Sequence, residues 1–175
     1  IDWRVPLGLD GDTPHDIAQA MARGVAGVSE ALAALRPDLM LILGDRFEIL
    51  AAASAALVHN IPIAHIAGGD VTEGAFDDAI RHAVTKMAHV HLATHEAAAA
   101  RLRRMGEAPA RVHVVGSPGL DHLHRTPLLA GAALEQALGA PLGRRNLLIT
   151  FHPVTLSADA GLSELRALLD ALSRL

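Results

Sequence analysis

The sequence predicts an α/β protein in which a parallel β-sheet carries helices on both faces. Short apolar segments of strand length alternate along the chain with longer segments that have a helical pattern. Glycine or a polar residue ends most of the short segments, so that each strand is followed by a turn. Strands and helices at this spacing form right-handed βαβ units, which build a parallel sheet.

The first half of the chain contains a helix and two strand–helix units. Asp12-Thr13-Pro14 marks a helix start, because a capping oxygen precedes a proline whose missing N–H costs nothing in the first turn. The helix ends before Arg36-Pro37, since a residue that precedes proline avoids helical dihedral angles. The apolar run 39–43 suits a parallel strand covered on both faces. The elements predicted here are helices at about 14–35, 47–58 and 75–88, and strands at 39–43 and 61–66.

The second half continues the alternation and contains a candidate linker. Residues 139–145 combine glycine, proline and arginine between two patterned segments. A boundary there would leave one strand and one helix beyond it, and such a pair cannot bury the faces of a sheet by itself. The elements predicted here are strands at 90–93, 111–115 and 147–151, a helix at 96–105, short helices within 120–138 and a helix at 162–175.

The composition excludes several classes of protein. The 175 residues include no cysteine, so neither a disulfide framework nor a cysteine metal site can form. The net charge of -4 and the scarcity of aromatic residues argue against nucleic-acid binding. Histidine is abundant, but no metal-ligand spacing of the HExxH kind occurs, and we predict no metal. No apolar run is long enough for a membrane span and no signal peptide is evident, so the expected location is the cytoplasm.

Ligands of parallel α/β sheets bind beyond the carboxyl ends of the strands, and polar residues follow several predicted strands. Gly44, Asp45 and Arg46 come directly after the strand 39–43. Glycine lets the backbone approach a ligand, and an arginine can hold a phosphate through two parallel hydrogen bonds. The same residues also fit an ordinary turn in which Asp45 caps a helix and Arg46 is solvated. The spacing by itself favours this second interpretation.

The loops after the other strands contain further candidates of the same kind. The adjacent Gly68 and Gly69 either let their loop contact a ligand or simply let it turn. A lone histidine at a strand end, such as His152, is about as compatible with a structural role as with a catalytic one. The candidates in these loops are Gly68, Gly69, Asp70, Ser117 and His152.

The helix predicted at 75–88 begins with an unusual number of charged side chains. Asp77 and Arg81 are four residues apart, as are Asp78 and His82, so each pair shares a helix face. These residues follow a strand end, where neighbouring charges can tune an acid or a base. They also fit a solvated helix face with weak ion pairs.

Four segments together resemble one known family. They are LILGDRFEILAAASAAL (41–57), IPIAHIAGGDVTEGAFDDAIRHAVTKMAHVH (61–91), VVGSPGLDHL (114–123) and ITFHPVTL (149–156). In order and spacing they resemble the UDP-N-acetylglucosamine 2-epimerases, and more closely the hydrolysing branch of sialic-acid and related nonulosonate pathways. The resemblance implies a glycosyltransferase-B type fold of two Rossmann-like domains with the substrate between them. Residues 1–140 would be the N-terminal domain without its first strand and helix, and residues 141–175 the start of the C-terminal nucleotide-binding domain.

The resemblance also implies a reaction and a set of roles, with a UDP-sugar as substrate and no cofactor. A base removes the C2 proton of the sugar while UDP leaves from C1, and water then adds to the resulting glycal with inversion at C2. The products are UDP and the free 2-epimer, N-acetylmannosamine or a relative. By position, the catalytic residues would be Asp45, Asp77 and His152, and the contacts of the UDP-sugar would be Arg46, Arg81, Gly68, Gly69, Asp70 and Ser117.

One position departs from the family pattern. Ala67 stands where many members carry a catalytic glutamate, so that Asp70 or Glu73 becomes a candidate base, or the sugar differs and is a 2,4-diacetamido relative. Two alternatives stay open. One is a glycosyltransferase-like protein or non-hydrolysing epimerase that uses the same fold and a UDP-sugar, and the other is a truncated fragment with only a structural or association role. Family members are commonly dimers or tetramers, and we expect a homo-oligomer.

Overall fold

The computed structural model describes residues 1–73, 75–153, 159 and 161–174, and the observed elements follow the predicted alternation. The chain divides into two compact units, Ile1–Ser117 and Pro118–Leu175. The division into domains at residue 140 stays a prediction. In chain order the elements are α1 (Pro14–Leu35), β1 (Met40–Leu43), α2 (Phe47–Val58), β2 (Ile63–Ile66), α3 (Asp77–Met87), β3 (Val90–Ala93), α4 (Glu96–Arg104), β4 (Val112–Val114), α5 (Asp121–Arg125), α6 (Ala132–Leu138) and α7 (Leu162–Leu172), with 3₁₀ turns at Pro109–Arg111 and Pro118–Leu120.

The four strands of the described residues pair in parallel in the order β1-β2-β3-β4. Ile42 lies level with His65, His65 with His91, and His91 with Val112. Residues in register point to the same face of a sheet, so these four side chains form one row. The carboxyl ends of the strands form one edge, which we call the rim; it consists of residues 44–46, 67–70, 94–95 and 115–117.

The sheet face that carries this row is covered by helices. An apolar cluster joins Ile42 and Ile63 to side chains of α1, α2 and α3, and a second cluster joins Ala93 and Val112 to α4. On the opposite face Leu41 and Leu43 are 60% and 54% exposed. Because the strand order advances in one direction, right-handed crossovers place their helices on the same side. The parallel sheet with flanking helices is confirmed, but among the described residues the helices cover one face and not two.

The first helix follows its predicted bounds because its end signals are local. The Thr13 hydroxyl accepts a hydrogen bond from the Asp16 N–H at 3.2 Å, and the Asp16 carboxylate accepts one from the Thr13 N–H at 3.3 Å. This reciprocal pair satisfies two N–H groups that the first turn leaves free. At the other end Arg36 adopts a left-handed conformation, with φ at 48°, and stops the helix before Pro37.

The strand predicted at 147–151 is wrong. In the described part of the chain these residues pair with no other strand, and Leu148 is almost fully exposed. An apolar run of strand length becomes a strand only where a neighbour supplies hydrogen-bonding partners. Elsewhere the differences are confined to element ends, as at β4, which spans three of the five residues predicted for it.

Candidate active site

Gly44 shapes the first loop of the rim. Its φ of +85° is a conformation that residues with a side chain rarely adopt. Its N–H donates to the Ile66 carbonyl oxygen at 3.1 Å, so the loop stays attached to β2 beyond the end of β1. Apart from Gly44 itself and its two chain neighbours, no described residue has a heavy atom within 4 Å of the position where a Cβ would stand. The backbone therefore turns here beside open space, and Asp45 follows directly, one residue before the N-cap of α2.

Asp45 is fixed by an ion pair that crosses from β1 to α3. Its carboxylate pairs with the Arg81 guanidinium, which is itself buried. The same guanidinium donates to the Thr72 hydroxyl at 2.8 Å and lies 3.5 Å from a carboxylate oxygen of Asp78. With three oxygen partners the arginine is satisfied although it is buried, as a buried charge requires. Asp45 is thus held in one orientation at the rim as an acceptor of the Arg81 guanidinium.

Arg46 has the opposite character, because its side chain is 69% exposed. It donates two hydrogen bonds to Glu48, at 2.9 and 3.2 Å, and its guanidinium lies 5.7 Å from the centre of the Phe47 ring. The hydrogen bond and the charge of Glu48 raise the pKa of Arg46, and the charges of Asp77 and Asp45 act in the same direction. The guanidinium is thus permanently cationic and open to an anion.

The second loop of the rim contains Gly68 and Gly69 and is packed tightly. Gly69 has φ at +81°, and a Cβ built there would stand 2.5 Å from the Ala98 carbonyl oxygen. The Arg101 guanidinium donates to the Gly69 carbonyl oxygen and attaches the loop to α4. Ala67 also has a positive φ, at 64°, which is uncommon for a residue with a side chain. The two glycines therefore serve the turn and its close approach to α4.

Asp70 forms a cluster that the sequence analysis did not identify. The Thr94 hydroxyl lies 2.8 and 3.0 Å from its two carboxylate oxygens, and His95 Nε2 lies 3.2 Å from one of them. His95 Nδ1 accepts the Ala98 N–H at 3.1 Å and so caps α4. Because Nδ1 accepts, the proton of the neutral ring is on Nε2 and points at Asp70. The signal in the sequence that could have predicted this cluster is the position of Thr94-His95 directly after a strand.

The remaining candidates lie in three different places. Asp77 begins α3, half-buried, and its charge acts on Arg46. Ser117 is half-buried at the end of the first compact unit, and His152 is exposed within the second unit. The structure thus brings Asp45 together with Arg81, and brings Asp77 near Arg46. Asp70 forms its own cluster on the next strand end.

The described residues contain neither a metal-binding cluster nor a membrane-spanning helix. Among them no group of three or more His, Asp or Glu side chains is arranged to hold a metal ion. None of the described helices is both long and apolar enough to cross a bilayer.

The chain is expected to lose stability as the pH falls below about 6.5 because two histidines are buried in the core. Burial lowers the pKa of His65 and of His91 below the ordinary value of 6.5. Their charged neighbours are Arg81 and Asp45 for His65, and Glu107 and Lys86 for His91. As the pH falls, these histidines therefore bind protons in the unfolded state but not in the folded state. Each histidine then lowers the free energy of unfolding by about 1.4 kcal/mol per pH unit. Urea unfolding from about pH 7 to about pH 5.5 measures this slope, and a flat or rising stability would contradict it.

A parallel sheet with its polar residues gathered at the carboxyl ends of the strands defines a Rossmann-like α/β domain whose ligand site lies at that edge. The profile of the UDP-N-acetylglucosamine 2-epimerase family matches residues 2–175, and the chain belongs to this family.

Individual relatives agree with this assignment. The chain is 37% identical over all its 175 residues to a protein of Campylobacter jejuni named GDP/UDP-N,N'-diacetylbacillosamine 2-epimerase (hydrolyzing), and it spans 46% of that protein. Over 136 residues, 78% of the chain and 34% of the relative, it is 39% identical to the polysialic acid biosynthesis protein P7 of Escherichia coli. A solved structure of UDP-N-acetylglucosamine 2-epimerase from Rickettsia bellii, at 23% identity, matches 75% of the chain and 35% of that protein's own chain with a TM-score of 0.61. That likeness confirms the predicted class of fold, a parallel sheet with helices packed around it. The chain spans about half the length of the Campylobacter relative and about a third of the length of the Escherichia coli relative.

Proposed function

We propose that this chain supplies one wall of the active site of a hydrolysing UDP-sugar 2-epimerase. The observation that carries the proposal is the fixed Asp45–Arg81 pair beside the exposed Arg46 at the ends of the strands. An oriented carboxylate and an accessible guanidinium are the groups needed for proton transfer and for binding a diphosphate. The name of the Campylobacter relative, which includes the word hydrolyzing, supports the hydrolytic outcome.

The proposed reaction has two steps. A carboxylate removes the proton from C2 of the sugar, the electron pair of that bond forms a C1–C2 double bond, and the C1–O bond breaks as UDP departs. Water then adds to the glycal, with its hydroxyl at C1 and a proton returned to the opposite face of C2. The sum is UDP-sugar plus water giving UDP plus the free 2-epimer. Asp45, Asp77 and His152 carry the acid–base work in this proposal.

Binding roles follow from exposure and from hydrogen bonding. Arg46 contacts the diphosphate, because its guanidinium is accessible, whereas Arg81 is occupied by Asp45 and acts by holding that carboxylate. The tight Gly68-Gly69 turn, with Asp70 and Ser117, lines the sugar side of the site. Asp70, whose orientation Thr94 and His95 fix, contacts the sugar in this proposal, and it is the alternative to Asp45 as the base because Ala67 supplies no carboxylate.

The proposal extends to the setting of the whole protein. We place it in the cytoplasm as a homo-oligomer, either a dimer or a tetramer, that supplies a 2-epimerised amino sugar for sialic or related nonulosonic acids. The polysialic acid relative supports this class of pathway, and the diacetylbacillosamine relative supports a 2,4-diacetamido sugar as substrate.

The proposal is tested by incubating the protein in deuterated water with UDP-N-acetylglucosamine and, in a separate sample, with a UDP-2,4-diacetamido sugar. We expect stoichiometric UDP and a free 2-epimer that carries deuterium at C2. An epimerised sugar still attached to UDP would replace the proposal with a non-hydrolysing epimerase. Binding without any C2 exchange would favour a non-catalytic role for this chain.

A further inference from the structure

His65 is a buried histidine for which the proposed reaction has no role. It lies in the middle of the sheet on β2 and is fully buried. Its Nε2 lies 2.8 Å from the carbonyl oxygen of Gly44, the residue that precedes Asp45. A carbonyl oxygen only accepts, so Nε2 carries the proton and donates it.

The other nitrogen of the ring is left bare. Burial lowers the pKa of His65, so the ring is neutral and Nδ1 has a lone pair. Nδ1 has no hydrogen-bond partner among the described residues. It faces Gly68, where an added Cβ would stand 3.0 Å from it. Within the described structure the ring is thus oriented by a single hydrogen bond, the one to Gly44.

With this hydrogen bond, both backbone polar groups of Gly44 are attached to β2. The N–H of Gly44 donates to the carbonyl oxygen of Ile66, and its carbonyl oxygen accepts from His65. The Gly44 carbonyl belongs to the peptide plane from which Asp45 starts. Gly44 has φ at +85° and open space at its Cβ position in the described structure, so side-chain packing does not fix that plane.

We infer that His65 is a positioning residue that fixes the Gly44–Asp45 peptide plane and thereby the direction of the Asp45 carboxylate toward the ligand. Its effect on turnover rests on the proposed function, whereas its effect on the loop does not. Without the donor, the Gly44 carbonyl is unpaired and the plane rotates into the open space beside it.

His91 offers a matched control for the packing of a buried histidine. It is level with His65 on the next strand, is equally buried, and likewise has a lowered pKa. Its Nε2 lies 3.0 Å from a carboxylate oxygen of Glu107, and it makes no hydrogen bond to the rim in the described structure. His91→Leu therefore removes the same side chain from the same row without touching the Gly44 loop.

NMR spectroscopy of the 175-residue chain tests the structural part of the inference. Nitrogen-15 spectra of the wild type are expected to show His65 protonated at Nε2 and bare at Nδ1. In His65→Leu the amide resonances of residues 44–46 and the Asp45 carboxyl resonance shift, and in His65→Gln, which restores a donor near the Nε2 position, they return toward wild type. His91→Leu leaves them unchanged. Protonation at Nδ1, or equal shifts in His65→Leu and His91→Leu, would overturn the inference.

Kinetics with the UDP-sugar adds the functional part. We expect His65→Leu to lower kcat by about tenfold or more with a smaller change in KM, because a small misplacement of a catalytic group is costly. His65→Gln recovers most of this loss, and His91→Leu keeps the wild-type kcat. A wild type that releases no UDP would count against the proposed function, and the NMR outcome would still decide the role of His65. An active His65→Leu with wild-type kcat would refute the positioning role.

Discussion

Asp45→Asn is expected to abolish UDP release and deuterium exchange at C2 in protein whose wild type performs both. The amide keeps the size of the side chain and can still accept from Arg81, but it cannot take up a proton. Arg81 retains the Thr72 hydroxyl at 2.8 Å, so the loss of the charge should cost about 1.5–3 kcal/mol of unfolding free energy and leave the chain folded. The assay is coupled detection of UDP together with proton NMR of the sugar C2–H.

Asp78→Asn is the matched control for this experiment. Asp78 lies 3.5 Å from the same guanidinium, and its carboxylate accepts the Thr72 N–H at 3.0 Å. The substitution therefore removes a comparable charge from Arg81 without removing the carboxylate that follows β1. We expect its activity to stay within a few fold of wild type. Retained exchange in Asp45→Asn, or an equal loss in Asp78→Asn, would refute the catalytic role of Asp45.

Gly69→Ala is expected to give the largest loss of stability at the rim. The new Cβ would stand 2.5 Å from the Ala98 carbonyl oxygen and 2.9 Å from Leu102 Cγ, at a φ of +81°. The backbone of α4 cannot give way as a flexible side chain can. Strain and overpacking together should cost about 3 kcal/mol, measured as the change in unfolding free energy in urea.

Gly44→Ala separates the two causes of that loss. Gly44 has nearly the same dihedral angle, φ +85°, but beyond its chain neighbours no described residue comes within 4 Å of its Cβ position. Only the conformational cost applies there, about 1 kcal/mol. A loss in Gly69→Ala no larger than that in Gly44→Ala would show that the contact with α4 relaxes freely.

The parts of the fold that the sequence predicts correctly depend on local signals. The helix Pro14–Leu35 begins at a capping threonine and ends before a proline, and both signals lie within a few residues of the ends they define. The strand predicted at 147–151 depended on a partner that the local sequence does not specify. The one-sided placement of the helices was likewise not predictable from alternation alone, because it follows from the order of the strands in the sheet.

In the candidate site, likewise, contacts between residues close in sequence were predictable and contacts between distant residues were not. The spacing of four residues correctly associated Asp78 with His82, which lie 3.6 Å apart. The same spacing suggested Asp77 for Arg81, but in the described structure Arg81 contacts Asp45, Thr72 and Asp78. Asp45 and Arg81 are on different βα units, and only the register of β1 against β2 brings their elements together. The hydrogen bond from His65 to Gly44 depends on that register as well.

The strand order β1-β2-β3-β4 has a consequence for how the chain folds. In the described sheet β2, β3 and β4 each pair with the strand that precedes them in sequence, one helix away, so each of these pairings closes a loop of only moderate length. Loops of this kind give a low contact order for a parallel sheet, and low contact order favours fast folding. During synthesis each βα unit can add to a preformed edge as it leaves the ribosome, without waiting for a distant segment.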